Sequence, residues 1–215
     1  KNLGLKVQDK DWSRTYWKDI RYIPSAHTMT LNAGHKQIDN YWRLDEAPDV
    51  RFSSTDDYLE GYLDHFRRAV RVRLNSVRPV GTQLSAGLDS SAVTALAARE
   101  LGKEDKTLIA YTSIPLHPAK KLFPNTLTNE WPLAHQVAEL YDNIEHISIQ
   151  AENFAPLAAI ERSLEITQTP QHAASNMYWI ISLFEHARRR NLGVMLTGQL
   201  GNGSVSWTGG RDYIF

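Results

Sequence analysis

The pattern of hydrophobic and polar residues changes after the first quarter of the chain. Apolar residues recur at steps of three and four between Leu59 and Val77, which predicts one amphipathic helix of about five turns. Cap candidates at positions 54–56 precede this stripe, and Pro79 ends it. The segment 44–55 carries charge, proline and serine without apolar periodicity, so we expect a linker and a domain boundary there.

After Pro79, short apolar runs alternate with amphipathic patterns. Strands are predicted at 80–85, 107–113, 144–149 and 194–197, and helices at about 90–101, 130–141, 155–166 and 174–190. This alternation predicts an α/β fold, in which helices flank a parallel sheet and the crossovers are right-handed. Ligands of such sheets bind beyond the carboxyl ends of the strands, where Ser85, Ser113 and Thr197 are expected.

Two segments outside this alternation are rich in turn residues. Near the amino terminus, alternating runs flank Asn32-Ala33-Gly34 and predict a β-hairpin, in which Gly34 supplies a positive φ. Residues 115–129 are polar and broken by prolines, which predicts a long loop at the carboxyl end of a strand.

Composition narrows the function classes. The 215 residues include 24 Lys plus Arg and 24 Asp plus Glu, so no overall field favours nucleic acid or an anionic membrane. The absence of cysteine excludes disulfides, thiolate metal sites and a cysteine nucleophile within these residues. The eight histidines show no i,i+4 pairing, and no apolar run reaches the roughly 18 residues of a membrane span. We therefore expect a cytoplasmic protein without nucleic-acid or membrane partners.

Because the chain lacks an initial methionine and ends after a glycine-rich loop, we also expect it to be a piece of a longer protein.

The junction LSAGLDSS, residues 84–91, carries the candidate chemistry. We expect a strand to end at Ser85 and a helix to begin near Asp89 or Ser90, with small residues between them. Free amides at the helix N-terminus would bind an anion such as phosphate. Because a carboxylate beside phosphate repels it unless a divalent cation lies between them, Asp89 predicts magnesium. The alternative is that Asp89 or Ser90 only caps the helix and Gly87 only makes the turn.

This junction resembles the SGGLDSS pyrophosphate-binding loop of the asparagine synthetase family, a branch of the N-type ATP pyrophosphatases. The resemblance extends along most of the chain. Residues 21–45 are similar to the last hairpin of the family's glutaminase domain, 54–74 to the helix that leads into the synthetase domain, and 128–149 to its Asn-Glu helix and following strand. Residues 193–210 lie in the place of the family's second loop.

The resemblance implies a fold, a domain organisation and an activity. It implies an adenine nucleotide alpha hydrolase-like domain at residues 51–215, incomplete at its carboxyl end, after the tail of a glutaminase-like domain at 1–50. It also implies an ATP-dependent amide-forming ligase that adenylates a carboxylate, aspartate or a related acid, and releases pyrophosphate before ammonia or another amine attacks. ATP and Mg²⁺ are the implied cofactors, glutamine or ammonia is the implied nitrogen donor, and homodimer formation is left open.

The same resemblance assigns roles to individual residues. Contacts with nucleotide and pyrophosphate fall on Gln83, Ser85, Ala86, Gly87, Leu88, Asp89, Ser90, Ser91, Thr112, Thr197 and Gly198. Within this set, Gln83 and Thr112 match the positions that border the adenine. The implied catalytic residues are Asp89 and Ser85, and the implied magnesium ligands are Asp89 and Asn202.

The chain departs from the family's pattern in both loops. Ala86 stands in place of a loop glycine, which is tolerable if its φ is negative. Asn202 stands where the family has an acidic magnesium ligand, and Gly203 where it has a glutamate, so charge that a hard cation prefers is lost. Two alternatives therefore stay open: an intramolecular amide ligase like the β-lactam synthetases and lasso-peptide cyclases, or a nucleotide-binding relative without catalysis.

Further residues have two interpretations each. Glu130 begins a helix, either as an acid that suits the helix dipole or as a residue near the site. His172, Ser175 and Asn176 either orient a carboxylate or cap a helix, and Trp207 either stacks on a base or packs as a lid. A broad apolar face is assigned to core packing and consists of Met177, Tyr178, Ile180, Ile181 and Phe184.

Overall fold

The computed structural model describes residues 11, 13–118, 120, 122–171, 173–204 and 206. Contacts within the chain divide it into two units, Lys1–Asp57 and Tyr58–Phe215. That residues 1–50 form the tail of a glutaminase-like domain stays a prediction.

The first unit contains the expected β-hairpin. Strands β1 (His27–Asn32) and β2 (His35–Asn40) pair antiparallel along their whole length. Both residues of the connecting turn have positive φ, 43° at Ala33 and 86° at Gly34. This geometry is the two-residue turn that matches the twist of antiparallel strands. The hairpin prediction is confirmed.

Helix α1 (Thr55–Arg73) begins at the expected caps. Ser54 Oγ accepts a hydrogen bond from the Asp57 amide at 3.2 Å, and Asp57 accepts one from the Ser54 amide at 3.1 Å, so the two side chains cap the helix reciprocally. The predicted stripe was too long, since the helix ends at Arg73 and Val77 is fully exposed. Pro79 disfavours helical backbone in the residue before it, and the chain bends at residues 77 and 78, where the apolar spacing continues.

The second unit contains a parallel sheet. Its strands are β3 (Val80–Gln83), β4 (Leu108–Ile114), β5 (Ile144–Gln150) and β6 (Val194–Leu196). The helices between them are α2 (Leu88–Gly102), α3 (Trp131–Ala138), α4 (Pro156–Thr167) and α5 (Met177–Arg189). All strand pairs are parallel, in the order β5-β4-β3-β6. The predicted alternation is confirmed, with boundaries shifted by a few residues.

Helices cover both faces of this sheet. Alternate residues of β4 face opposite sides: Leu108 packs with Val70 of α1 and Leu101 of α2. Its neighbour Ile109 packs with Leu183 of α5 on the other face. A parallel sheet needs such cover because its strands are apolar on both sides. The predicted α/β fold, a parallel sheet flanked by helices, is therefore confirmed.

The strand order determines where a ligand site can form. Strands β3 and β6 are adjacent and parallel, with Val80 opposite Val194. Because parallel strands end at the same edge of a sheet, the loops that follow Gln83 and Leu196 start side by side.

Candidate functional site

The two loops meet at the carboxyl edge of the sheet. One connects β3 to α2, and the other follows β6. Gly198 of the second loop lies against the first turn of α2, where an added β carbon would be 2.6 Å from the Ser90 amide nitrogen and 2.9 Å from the carbonyl carbon of Asp89. Backbone contact this close excludes any side chain at position 198.

Hydrogen bonds of two serine hydroxyls stabilise the conformation of the first loop. Ser90 is 6% exposed, and its Oγ accepts the Ser85 amide at 3.0 Å and lies 2.7 Å from Ser85 Oγ. The Gly87 amide donates to Ser85 Oγ at 3.1 Å. Ala86 is not among the described residues with positive φ, so its substitution for the family's glycine introduces no left-handed strain.

The first turn of α2 is not capped by a side chain. The helix begins at Leu88, with Gly87 at the N-cap position and no side-chain cap hydrogen bond. Neither Asp89 nor Ser90 occupies the N-cap position, because both lie inside the first turn, and that the junction binds an anion stays a prediction. The predicted helix start near these two residues was also slightly late. Gly87 has φ −79°, so the turn does not depend on left-handed backbone.

The Asp89 carboxylate faces the second loop. Its Oδ1 is buried and has no hydrogen-bond partner among the described residues. Gly201 lies directly against this carboxylate, and an added β carbon there would overlap it. A buried carboxylate oxygen without a donor is costly, and a divalent cation is the partner that such an oxygen prefers. Asp89 therefore fits the magnesium ion that the sequence implies.

Asn202 follows Gly201 and is the second implied metal ligand. It is exposed, and its Oδ1 accepts a hydrogen bond from Ser206 Oγ at 3.3 Å. An amide oxygen has two lone pairs, so one stays available for a cation. Asn202 can thus supply an oxygen ligand but no charge.

A cavity of about 430 Å³ opens between the two loops and α5. We call it the loop cavity. Its lining includes eight of the residues that the sequence assigns to nucleotide, pyrophosphate or magnesium, namely Gln83, Ser85, Gly87, Asp89, Ser90, Thr197, Gly198 and Asn202. Residues from opposite ends of the second unit therefore converge on one concave surface.

Four assigned residues do not line the loop cavity. Ala86 donates its amide to Glu130 Oε2 at 3.3 Å, and Ser91 donates its hydroxyl back into the first loop. Leu88 is 81% exposed, whereas Thr112 is buried within the sheet. The nucleotide contacts assigned to these four residues stay predictions.

The family model described as asparagine synthase matches residues 61–205, which contain both loops. This chain belongs to the asparagine synthase family. Asparagine synthetase [glutamine-hydrolyzing] 3 of Bacillus subtilis (strain 168) is 32% identical to it over 133 residues, which cover 60% of this chain and 21% of that protein. Asparagine synthetase [glutamine-hydrolyzing] 2 of the same organism is 28% identical over 215 residues, which cover 96% of this chain and 27% of that protein. The chain thus spans about a quarter of the length of these relatives.

Among solved structures, the chain is similar to the NH3-dependent NAD synthetase from Campylobacter jejuni in complex with nitrate. The TM-score is 0.41 and the sequence identity 17%, over 74% of this chain and 62% of that one.

In this asparagine synthase-family chain, Glu130 lies beside the first loop. It immediately precedes α3 and makes no cap hydrogen bond with it, but accepts the Ala86 amide. It also lines a second cavity of about 440 Å³, on the other side of Ser85, together with Ser113 and Trp179. Of the two interpretations of Glu130, the structure supports a position near the site.

Helix α5 contributes a wall that the sequence analysis missed. Trp179, Ile180, Leu183 and Phe184 line the loop cavity. The assignment of Phe184 to the core was wrong, since it is 51% exposed, whereas Ile181 is buried as expected. An apolar face this broad, wider than one core stripe, is the signal that could have indicated a second surface on the helix.

A stacked aromatic cluster lies behind the first loop. Thr112 Oγ1 donates to the Leu84 carbonyl at 2.7 Å and lies 2.8 Å from His146 Nε2, while His146 Nδ1 lies 3.1 Å from His135 Nδ1. Trp131 stacks on His146, with ring centroids 4.1 Å apart. Burial, and to a lesser extent His135, lowers the pKa of His146 to about 4. Because the hydroxyl proton of Thr112 goes to the Leu84 carbonyl, the neutral His146 ring donates from Nε2 to Thr112 and accepts at Nδ1.

Two of the remaining candidates, Ser175 and Asn176, do not line the loop cavity. His172 and Trp207 fall outside the described residues. Ser175 and Asn176 are exposed, and Asn176 occupies the N-cap position of α5 without a side-chain cap hydrogen bond. Across the described part of the chain, no three His, Asp or Glu side chains cluster as a metal site, and no helix is long and apolar enough to cross a membrane.

Proposed function

We propose that this chain forms the adenylating site of an ATP-dependent amide-forming ligase. The observation that carries the proposal is the loop cavity, where Ser85 and Asp89 of the first loop face Thr197 and Asn202 of the second. Amides at the start of α2 suit a pyrophosphate group, and the unpartnered Oδ1 of Asp89 suits the cation that accompanies it. A site for a bare anion would not place a carboxylate there.

The proposed reaction has two steps. In the first, a carboxylate oxygen of the acid attacks the α-phosphorus of ATP, the bond from that phosphorus to the bridging oxygen breaks, and pyrophosphate leaves. In the second, an amine attacks the acyl carbon, AMP leaves, and the new amide nitrogen loses a proton. Neither step needs a protein nucleophile, so positioning and charge neutralisation are sufficient.

The loop residues would share this work. Ser85 and the amides at the start of α2 would hold the pyrophosphate, and Thr197 would close on the nucleotide from the second loop. Asp89 and Asn202 would hold Mg²⁺, which neutralises phosphate charge when it is bound.

The adenine would lie towards Gln83, which lines both cavities. Thr112 is buried and bonded to His146, whereas Ser113 lines the second cavity. We therefore expect Ser113, rather than the side chain of Thr112, to face the base.

The nitrogen donor would be ammonia, either free or from glutamine. Two relatives are named as glutamine-hydrolyzing asparagine synthetases, which supports this choice. Glutaminase activity itself would require residues other than those of the loop cavity.

The test is calorimetric titration of ATP into the protein in its full natural length, with and without Mg²⁺, followed by assays of pyrophosphate release. We expect magnesium-dependent binding that Asp89→Asn weakens about tenfold or more, because the variant keeps the shape but loses the charge. Asp142→Asn is the matched control, since Asp142 is exposed and lines neither cavity. Absence of ATP binding would refute the ligase function, and binding insensitive to both magnesium and Asp89→Asn would refute the metal role.

A further inference from the structure

The loop cavity has two unlike walls. One consists of the two polar loops, and the other of the α5 side chains Trp179, Ile180, Leu183 and Phe184. Triphosphate and magnesium need only the polar wall, because apolar side chains offer them no hydrogen bonds. The adenine, which the proposed function places towards Gln83, can cover apolar surface there, but it does not account for Ile180 and Phe184, which continue into a groove outside the loop cavity.

This apolar wall continues beyond the loop cavity. A groove of about 340 Å³ runs between α4 and α5 and shares Ile180 and Phe184 with the loop cavity. Ile166, Met177 and Ile181 extend its lining. Ile166 is 60% exposed and Phe184 is 51% exposed, so an apolar chain that covered them would remove substantial apolar surface from water.

Charge in the loop cavity disfavours a second carboxylate. Among its described lining residues, Asp89 is the one charged side chain, and no lysine or arginine is present. The second carboxylate of a small dicarboxylic acid such as aspartate would find no lysine or arginine among these lining residues, and the Mg²⁺ proposed at Asp89 would already be neutralising phosphate charge, so its desolvation would be costly. The groove's lining contains three charged residues: Arg162 and Glu185 pair with Glu165 and Arg189, and Arg188 is exposed to solvent and does not line the loop cavity.

We propose that the acyl substrate is an apolar monocarboxylic acid. Its carboxylate lies between the two loops, and its hydrocarbon body lies on Ile180 and Phe184 and enters the groove between α4 and α5. This inference rests on the proposed function, and it replaces aspartate, the acid implied by the family resemblance, with a different substrate class.

A chain-length series tests the proposal in the full-length protein. Pyrophosphate release is measured with ATP, Mg²⁺ and butanoate, hexanoate or octanoate, and separately with aspartate. We expect KM to fall about fourfold for each methylene added, as burial of a methylene in an apolar groove predicts, and aspartate to be the poorest substrate. A preference for aspartate would overturn the inference but support the ligase function, whereas no release with any acid, together with no ATP binding, would overturn both.

Charge substitutions locate the hydrocarbon body. Phe184→Lys should raise KM for hexanoate and octanoate about tenfold or more. Ile166→Lys should raise KM for octanoate more than for butanoate, because it lies further along the groove. Leu157→Lys is the matched control, since Leu157 is on α4, is 68% exposed and lines neither the groove nor the loop cavity.

Other occupants of the groove predict different results. If a segment of protein covers it, KM will not depend on chain length, and Phe184→Lys will lower the free energy of unfolding instead. Far-UV circular dichroism and thermal unfolding of each variant separate loss of folding from loss of substrate binding. Chain-length independence in a folded, ATP-binding protein would overturn the proposal.

Discussion

Gly201 of the second loop lies so close to Asp89, in the first turn of α2, that an added β carbon at Gly201 would overlap the Asp89 carboxylate. We expect Gly201→Ala to displace this carboxylate and to weaken magnesium-dependent ATP binding about tenfold or more, since overpacking of this kind typically costs about 1–3 kcal/mol. Calorimetric titration measures the change. Gly203→Ala is the matched control, because an added β carbon there meets nothing within 4 Å. Equal affinities for the two variants would show that the contact does not shape the site.

Two buried hydroxyl positions predict opposite effects on stability. Tyr111 is fully buried, and its hydroxyl has no hydrogen-bond partner among the described residues. Thr94 is also fully buried, but its hydroxyl lies 3.0 Å from that of Thr82. We expect Tyr111→Phe to leave the free energy of unfolding unchanged or to raise it by about 1 kcal/mol, and Thr94→Val to lower it by about 1–3 kcal/mol, because it leaves Thr82 unpaired. Denaturant unfolding measures both, and a clear loss in Tyr111→Phe would indicate a partner for its hydroxyl.

The buried ring of His146 predicts acid sensitivity. Burial lowers its pKa to about 4 from the ordinary value of 6.5, so the unfolded chain takes up a proton at a higher pH than the folded one. The stability that this difference provides is fully present above about pH 6.5 and is lost as the pH falls towards about 4. We expect the free energy of unfolding to decrease between pH 7 and pH 5, and His146→Gln to reduce that dependence. Denaturant unfolding of the wild type and of His146→Gln at pH 7 and pH 5 measures this, and equal losses of stability in the two proteins would contradict the role of His146.

Ala26 occupies left-handed backbone in the first unit. Its φ is 58°, and its carbonyl accepts the Tyr41 amide at 2.9 Å, so this conformation is fixed by the hairpin. We expect Ala26→Gly to raise the free energy of unfolding by about 0.5–1 kcal/mol, because glycine adopts positive φ without strain. Ala47, with φ −66°, is the control, and Ala47→Gly should be neutral or destabilising in the same thermal unfolding measurement. A destabilised Ala26→Gly would show that strain at this position is small.

The site could be predicted as far as strand topology determines it. Ser85 and Thr197 were expected at one sheet edge, because parallel strands end together, and both line the loop cavity. The contact of Gly201 with Asp89 could not be predicted, since the second loop passes through Leu200 at φ 64°, a conformation that no sequence rule assigns to leucine.

The direction in which side chains point was the other feature that could not be predicted from the sequence. The alternation of β4 turns the side chain of Thr112 inward to His146 and leaves Ser113 at the second cavity, which the sequence did not indicate, and the position of Thr112 beside the adenine stays a prediction. Phe184 was wrongly expected in the core. Apolar periodicity shows which residues share a helix face, but it does not show what that face contacts.

The pairing of Val80 with Val194 also has a consequence for synthesis of the chain. These partners are separated by more than a hundred residues, and the loop that carries Gly198 and Gly201 comes after the second of them. A ribosome-bound chain that has completed β3, β4 and β5 still lacks β6 and the second loop, whose Gly201 lies against the Asp89 carboxylate. Nucleotide bound as proposed would therefore not assist the early folding of this domain, and its stabilising effect would begin only when β6 and the second loop have left the exit tunnel and joined the sheet.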